Sequence, residues 1–216
     1  MSARALRYYM AWIIITIIGS YLLGSVPTAY IFAKFTKGID IRKFGSGNVG
    51  ATNAIRILGK GPGIAVLILD ILKGFITVFF LGDLAITKIT PFPNETLRIL
   101  LGLSCICGHN WTVFLRFKGG KGIATTFGVL IALAMKISGF KIILFLVILT
   151  WLLVFILTRI VSLASVLSGI ALPAYMILFK QSTILVLSSV ILSIFIILRH
   201  KSNLKRVLQG KEPHLF

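Results

Sequence analysis

Acidic side chains are scarce in this chain: 216 residues carry five, Asp40, Asp70, Asp83, Glu95 and Glu212, against 23 Lys and Arg. No two lie near enough in sequence to form a local carboxylate cluster, which speaks against a Mg²⁺ or Ca²⁺ site, since those ions ask for several oxygens. Charge of either sign is thin at 13%, where soluble domains carry about a quarter. A soluble globule could not clothe its surface with so little. Cysteine is nearly absent as well. Cys105 and Cys107 exclude a disulfide-built secreted scaffold. Two apart on a helix and without CxxC spacing, they read as packing residues.

What fills the chain instead is apolar: 57% of residues are hydrophobic, with a mean hydropathy of +1.01. Such a composition excludes disorder. Apolar runs fall at about 11–34, 62–81, 97–115, 122–136, 141–158, 163–179 and 183–198. Seven spans of ~20 residues consume most of the length, so the fold class expected is an all-α integral membrane protein, one domain (1–216) of seven transmembrane helices. The fourth run is short and opens in a glycine-rich loop, as expected of a segment that begins inside the protein. The first run follows Arg4 and Arg7 like a signal peptide but is too long for an h-region, and Pro27 and Tyr30 within it read as part of a retained helix.

The net charge of +18 would suggest nucleic acid in a soluble chain. In a membrane chain it indicates positive-inside topology and anionic lipid headgroups, and no nucleic acid. Seven spans place 15 basic residues on one side and seven on the other, with Lys73 inside a span. The expected topology therefore has the N-terminus outside and the C-terminus in the cytoplasm. The richest segments, the loops at about 37–61 and 116–122 and the tail 199–216, share the cytoplasmic side.

Those segments hold the polar chemistry. Within Phe44–Arg56, Gly45, Gly47 and Gly50 match GxGxxG, and Asp70 lies 20 residues past Gly50. A dinucleotide fold needs a strand before such glycines, and here the flanks are membrane helices. Glycines still allow successive backbone N–H groups to face an anion ahead of a helix start, and the plainer reading is a tight turn. Lys118-Gly-Gly-Lys-Gly122 has a phosphate cradle's composition at the mouth of a helix. It is not a Walker A loop, since Leu115 and Gly122 stand where that motif needs Gly and Ser or Thr. As mere topology anchors, Lys118 and Lys121 would not need three flanking glycines. The basic tail Arg199–Glu212 and the helix-opening Ser162 and Ser165 complete the set, the serines reading equally as caps or interhelical glue. Asp70 and Lys73 sit inside the second run, where charges must pair at i,i+3 or face a polar interior.

Missing motifs narrow the chemistry. Five residues after His109 comes Phe114 and five after His200 comes Lys205, so no H-x-x-x-x-D pair orients a histidine base. There is no GxSxG elbow. What remains is a set of cationic and amide donors at a membrane boundary, suited to a phosphorylated substrate with a greasy end.

Taken together, Gly45-Ser-Gly-Asn-Val-Gly-Ala-Thr-Asn-Ala-Ile-Arg56, Gly108-His109 with Phe117-Lys-Gly-Gly-Lys-Gly-Ile-Ala-Thr125, and Arg199-His200, Asn203 and Glu212 resemble the bacterial PlsY-type glycerol-3-phosphate acyltransferases. The likeness covers nearly the whole chain and includes Asp70 and Lys73-Gly74, while Thr112 stands where the family usually has proline. The resemblance implies a multi-pass enzyme of the bacterial inner membrane. It would move a fatty acyl group from acyl phosphate to the 1-hydroxyl of sn-glycerol 3-phosphate, giving lysophosphatidic acid and phosphate, with no cofactor, no metal, and no CoA or acyl-carrier thioester as direct donor. Carried over by position, Ser46, Arg56, Lys121 and Ser162 would hold substrate phosphates. Asn48, Asn53, His109, Gly119, Gly120, Gly122, His200, Asn203 and Glu212 would belong to the binding site.

The residues agree with that chemistry. An acyl phosphate is already activated, so an enzyme need chiefly hold two anions together and stabilise an oxyanion, which a basic, acid-poor site can do. A transporter of a phosphorylated metabolite is the competing class, and it predicts basic residues on both faces. A non-catalytic binder of anionic lipid would need the cations without the glycines.

Overall fold

The apolar runs become helices because a chain in hydrocarbon must satisfy its backbone groups internally. The computed structural model describes residues 2–89 and 92–214, so residues 215–216 of the basic tail lie outside the described part. Eleven α-helices run through it: α1 (Ala3–Ser25), α2 (Thr28–Lys37), α3 (Ala51–Leu58), α4 (Lys60–Ile76), α5 (Gly82–Lys88), α6 (Asn94–Asn110), α7 (Ile123–Lys136), α8 (Phe140–Thr158), α9 (Val161–Leu178), α10 (Thr183–Arg199) and α11 (Lys201–Leu208). Among the described residues, five continuous or nearly continuous helical stretches are long and apolar enough to cross a membrane: Ala3–Lys37, Lys60–Lys88, Asn94–Leu115, Phe140–Thr158 and Val161–Leu178. The pair α10–α11, bent by 61°, makes a sixth if taken as one span, and α7 is apolar but shorter.

The helices gather into two compact units, residues 1–136 and 137–216. In the first, α1 packs on α6, α4 on α7, and α3 on α4. The close crossings are made by glycine. A β-carbon on Gly24 would run into the Cys105 carbonyl, and one on Gly128 into the Ile71 carbonyl, so these helices meet backbone to backbone. In the second unit α9 is central, flanked by α8, α10 and α11. Trp151 Nε1 donates to Ser165 Oγ across 3.3 Å, and Ser193 Oγ to the Gly169 carbonyl across 2.6 Å. Helix α8 is apolar on nearly every side, with Phe140 and Ile143 buried, the pattern of a helix surrounded by lipid and apolar neighbours.

Two interruptions depart from the expected continuous spans. Pro27 does not continue the first helix: α1 ends at Ser25 and α2 begins at Thr28. Proline brings no N–H and forces the residue before it out of the helical region, and Val26 accordingly has ψ 113°. Between α4 and α5, residues Thr77–Leu81 form a π turn, and Arg98 Nη1 donates to the Val78 carbonyl there across 2.7 Å.

Candidate active site

The first glycine segment folds as a loop feeding α3. Gly45 and Gly47 both adopt left-handed φ, 57° and 69°, which few residues other than glycine do readily. Asn53, fully buried on α3, ties the loop together. Its Oδ1 accepts from the Ser46 amide at 3.0 Å, and its Nδ2 donates to the Phe44 and Asn48 carbonyls at 3.2 and 3.0 Å. Asn53 is thus engaged in shaping the loop, and Ser46 is carried exposed near its tip with Asn48 half-buried. Arg56 lies on the exposed face of α3. Ahead of the loop, the Arg42 guanidinium holds the Asp40 carboxyl down at about 2.

The second segment turns sharply after α6. Arg116 and Phe117 both take left-handed φ, 53° and 60°, a strained pair for side chains of that size. Thr112 stands at the position where the resemblance expects proline, and its φ of −66° is the value a proline ring imposes. Its hydroxyl donates to the Ser25 carbonyl at 2.5 Å and accepts from the Phe114 amide at 3.2 Å. The bend is therefore present without the ring.

The loop that follows is strapped to the end of α6. The Gly120 amide donates to the His109 carbonyl at 3.0 Å and the Gly119 amide to the Asn110 carbonyl at 3.3 Å. These two N–H groups therefore bond to α6 rather than turn outward. Their glycine identity has another cause. A β-carbon on Gly119 would overlap the His109 carbonyl, and one on Gly120 would overlap the His109 ring. Gly122, with φ 78°, sits over the Asn110 amide, whose two polar atoms are buried with no hydrogen-bond partner among the described residues. Burying an amide so costs about 1–3 kcal/mol, so the ground beneath the loop is polar and costly. Lys121 is half-buried at the mouth of α7.

The two glycine segments, some 65 residues apart in sequence, meet. Val49 of the first and Leu115 of the second belong to one buried cluster with Ala29, Ile41, Ala54 and Val66. A small hollow of about 10 Å³, room for one water and partly open to solvent, is lined by Val49, Gly119, Gly120, His109, Lys73 and the α1–α2 break. Below it lies a network that sequence reasoning left half-drawn. Asp70 and Lys73 pair at 2.8 Å, both nearly inaccessible. Thr28 Oγ1 donates to Asp70 Oδ1 at 2.5 Å, Lys73 Nζ donates to the Val26 carbonyl at 2.9 Å, and His109 Nδ1 lies 3.8 Å from Asp70 Oδ1 and 3.1 Å from Thr125 Oγ1. The i,i+3 spacing announced the ion pair, whereas nothing in the spacing pointed to Thr28, Thr125 or the Val26 carbonyl.

In the second unit the tail and Ser162 come together. Glu212 Oε1 accepts from Ser162 Oγ at 2.8 Å and from Asn203 Nδ2 at 2.5 Å, and Oε2 accepts from Arg206 Nε at 2.7 Å. Burial pushes the Glu212 carboxyl up, but the hydrogen bonds from Asn203, Ser162 and Arg206 outweigh it and leave the group below its ordinary value. His200, buried at the α10–α11 bend, has Nδ1 2.8 Å from the Ile196 carbonyl. Among the described residues, no three His, Cys, Asp or Glu side chains cluster as a metal site would require.

This geometry has close relatives. Residues 14–210 match the family model described as glycerol-3-phosphate acyltransferase. A glycerol-3-phosphate acyltransferase of Desulforamulus reducens is 42% identical over 199 residues, covering 92% of this chain and 93% of the relative. One from Synechococcus sp. (strain CC9902) is 39% identical, covering 90% and 91%. The fold is similar to the crystal structure of PlsY (YgiH), an integral membrane glycerol 3-phosphate acyltransferase, in its glycerol 3-phosphate form, with a TM-score of 0.81, 36% identity and 94% of each chain covered. The lysophosphatidic acid form of PlsY gives 0.78 at 35% identity, again over 94% of each chain. With its apolar helices, its two glycine loops and these relatives in agreement from end to end, the chain belongs to the PlsY family of multi-pass membrane glycerol-3-phosphate acyltransferases.

Proposed function

We propose that this protein transfers a fatty acyl group from acyl phosphate to the 1-hydroxyl of sn-glycerol 3-phosphate, releasing lysophosphatidic acid and phosphate. The observation that carries the reading is the sharing of one core by two glycine loops, the first bearing Ser46 and leading into α3 with Arg56, the second bearing Lys121, in a chain with 23 basic residues and five acids. Two phosphates side by side repel, and cations on converging loops offset that repulsion. The acceptor follows the PlsY structures, which hold glycerol 3-phosphate in one form and lysophosphatidic acid in the other.

The transfer is direct. The glycerol oxygen attacks the acyl carbonyl carbon, a tetrahedral oxyanion forms, and the bond from that carbon to the phosphate oxygen breaks. The departing phosphate takes the hydroxyl proton, so no protein base and no cofactor are needed. Ser46, Arg56 and Lys121 hold phosphate. Asn53, Gly119 and Gly120 keep their loops in shape, while Asn48, His109 and Gly122 line the same region. Ser162, His200, Asn203 and Glu212, which come together within the second unit, are assigned to substrate binding by the family resemblance alone. A covalent route would call on a thiol, yet Cys105 is buried with Sγ 3.6 Å from the Lys73 carbonyl. Thr125 does reach His109, but through the same Nδ1 that faces Asp70, which is not a relay arrangement. The five stretches, α7 and the bent α10–α11 pair make seven spans in the bacterial inner membrane, with the C-terminus in the cytoplasm.

The test is to incubate the purified chain in detergent with palmitoyl phosphate and labelled glycerol 3-phosphate. Labelled lysophosphatidic acid should form, and palmitoyl-CoA or palmitoyl-acyl-carrier protein should not replace the donor. A thioester serving as well as acyl phosphate would overturn the donor. Labelled acyl phosphate alone should leave no label on denatured protein; a stoichiometric, hydroxylamine-sensitive label chased into product by glycerol 3-phosphate would overturn direct transfer.

A further inference from the structure

The Asp70–Lys73 pair is an unusual investment for an apolar helix. Both side chains are almost inaccessible, and a buried ion pair adds little stability over well-packed apolar residues of like size. Its value lies in where its bonds go. Lys73 Nζ reaches the Val26 carbonyl at the α1–α2 break, and Asp70 Oδ1 takes the hydroxyl of Thr28, the first residue of α2. The same Oδ1 faces His109 Nδ1 at 3.8 Å on the last turn of α6, and that nitrogen also meets Thr125 on the first turn of α7. The groups that these two side chains reach beyond α4, at Val26, Thr28 and His109, sit where a helix starts, stops or breaks.

His109 transmits this order to the loop. Its carbonyl receives the Gly120 amide, and its ring lies so close to Gly120 that no β-carbon fits. The next residue is Lys121. We propose that Asp70, braced by Lys73, is a positioning residue: it fixes the His109 ring on which Gly120 rests, and thereby the direction in which Lys121 presents its ammonium to substrate phosphate. The inference rests on the reading of Lys121 as a phosphate-binding cation.

A double-mutant cycle tests it. Asp70→Asn alone strands a buried ammonium, so the companion variant is Asp70→Asn/Lys73→Met, which removes both charges at similar volume. His109→Gln removes the ring and leaves the ion pair intact. Each is made in the wild-type and Lys121→Ala backgrounds, its folding is checked by thermal unfolding in detergent, and kcat and KM for glycerol 3-phosphate are measured. Acting through Lys121, each variant loses about tenfold in kcat/KM in the wild-type background but less than about twofold in the Lys121→Ala background. An equal fractional loss in both backgrounds overturns the positioning role while leaving Lys121 as a phosphate ligand. Full activity of a folded Lys121→Ala protein overturns the reading of Lys121, and the inference with it.

Discussion

Glu212→Ala removes the carboxylate on which the second unit's C-terminal segment closes. The side chain is nearly inaccessible and accepts three hydrogen bonds, from Ser162, Asn203 and Arg206. Hydrogen bonds to a buried charged group contribute about 1.5–3 kcal/mol each. The Arg206 side chain is 36% exposed, and solvent screening reduces its share to about 0–1 kcal/mol. Relief of the carboxylate's own desolvation offsets part of the remainder, so a net loss of ~2–4 kcal/mol is expected. Glu212→Gln keeps one acceptor oxygen but turns an amide N–H₂ toward Ser162 and Asn203 or toward Arg206, and should cost about half as much. The measurement is denaturant unfolding of the purified chain in micelles, followed by tryptophan fluorescence, with Trp151 reporting from the same unit. A Glu212/Ser162 double-mutant cycle should give a coupling of ~1 kcal/mol or more. An unchanged midpoint for Glu212→Ala, or strictly additive changes in the cycle, would refute the reasoning.

The same carboxylate gives a pH signature. Its folded pKa lies below its ordinary value, so the stability it contributes is fully present above the unfolded value of about 4.3. That contribution declines as pH falls toward the folded value and is gone below it. The gap in stability between the wild type and Glu212→Gln should therefore be flat from neutral pH to about pH 5 and narrow below ~4.3. A gap that widened on acidification would mean the pKa is raised rather than lowered.

Lys121→Ala and Arg56→Ala should each lower kcat/KM by about 10- to 100-fold, from loss of a charge-assisted contact, with Lys118→Ala costing much less. Steady-state assays of the three folded variants separate phosphate ligands from topology anchors. Gly120→Ala places a methyl group on the His109 ring. It should cost ~1–3 kcal/mol of stability by overpacking, read from unfolding in micelles, and lower activity with it. Single cysteines at residues 3 and 205 in a cysteine-free background should be labelled from outside the cell at residue 3 only. Labelling at 205 alone would invert the topology.

Much of the helical frame was legible because its cause is local. A run such as 183–198 has one way to satisfy its backbone in lipid, and α10 occupies Thr183–Arg199. The first glycine motif was legible as a turn for a similar reason, since Gly45 and Gly47 both take positive φ. Where hydrogen bonds end is not local. The composition of Lys118–Gly122 read as a phosphate cradle, and nothing in it showed that the Gly119 and Gly120 amides donate to α6, a partner fixed only once α6 and the loop have packed. Ser162 read as a cap or interhelical glue, and its hydroxyl goes to Glu212, 50 residues on.

The buried cations follow from the same rule about backbone satisfaction. A helix broken inside an apolar protein deprives carbonyls of their regular i→i+4 donors, and at the Pro27 break the Val26 carbonyl accepts from the Thr28 amide at 3.0 Å with a lone pair still to fill. Long cationic side chains reach such groups, and both breaks in the first unit are met this way. Lys73 donates to the Val26 carbonyl at the Pro27 break, and Arg98 donates to the Val78 carbonyl at the π turn. A buried cation in turn needs a counter-charge: Lys73 has Asp70, and Arg98 has Asp83, which also binds Lys136 at 2.7 Å. Two of the five acids are thereby accounted for by helix interruptions, and two more, Asp40 and Glu212, each hold an arginine beside a polar loop or tail. The scarcity of acids thus becomes informative in its placement, because four of the five each pair with a cation that meets a helix interruption, a polar loop or the tail.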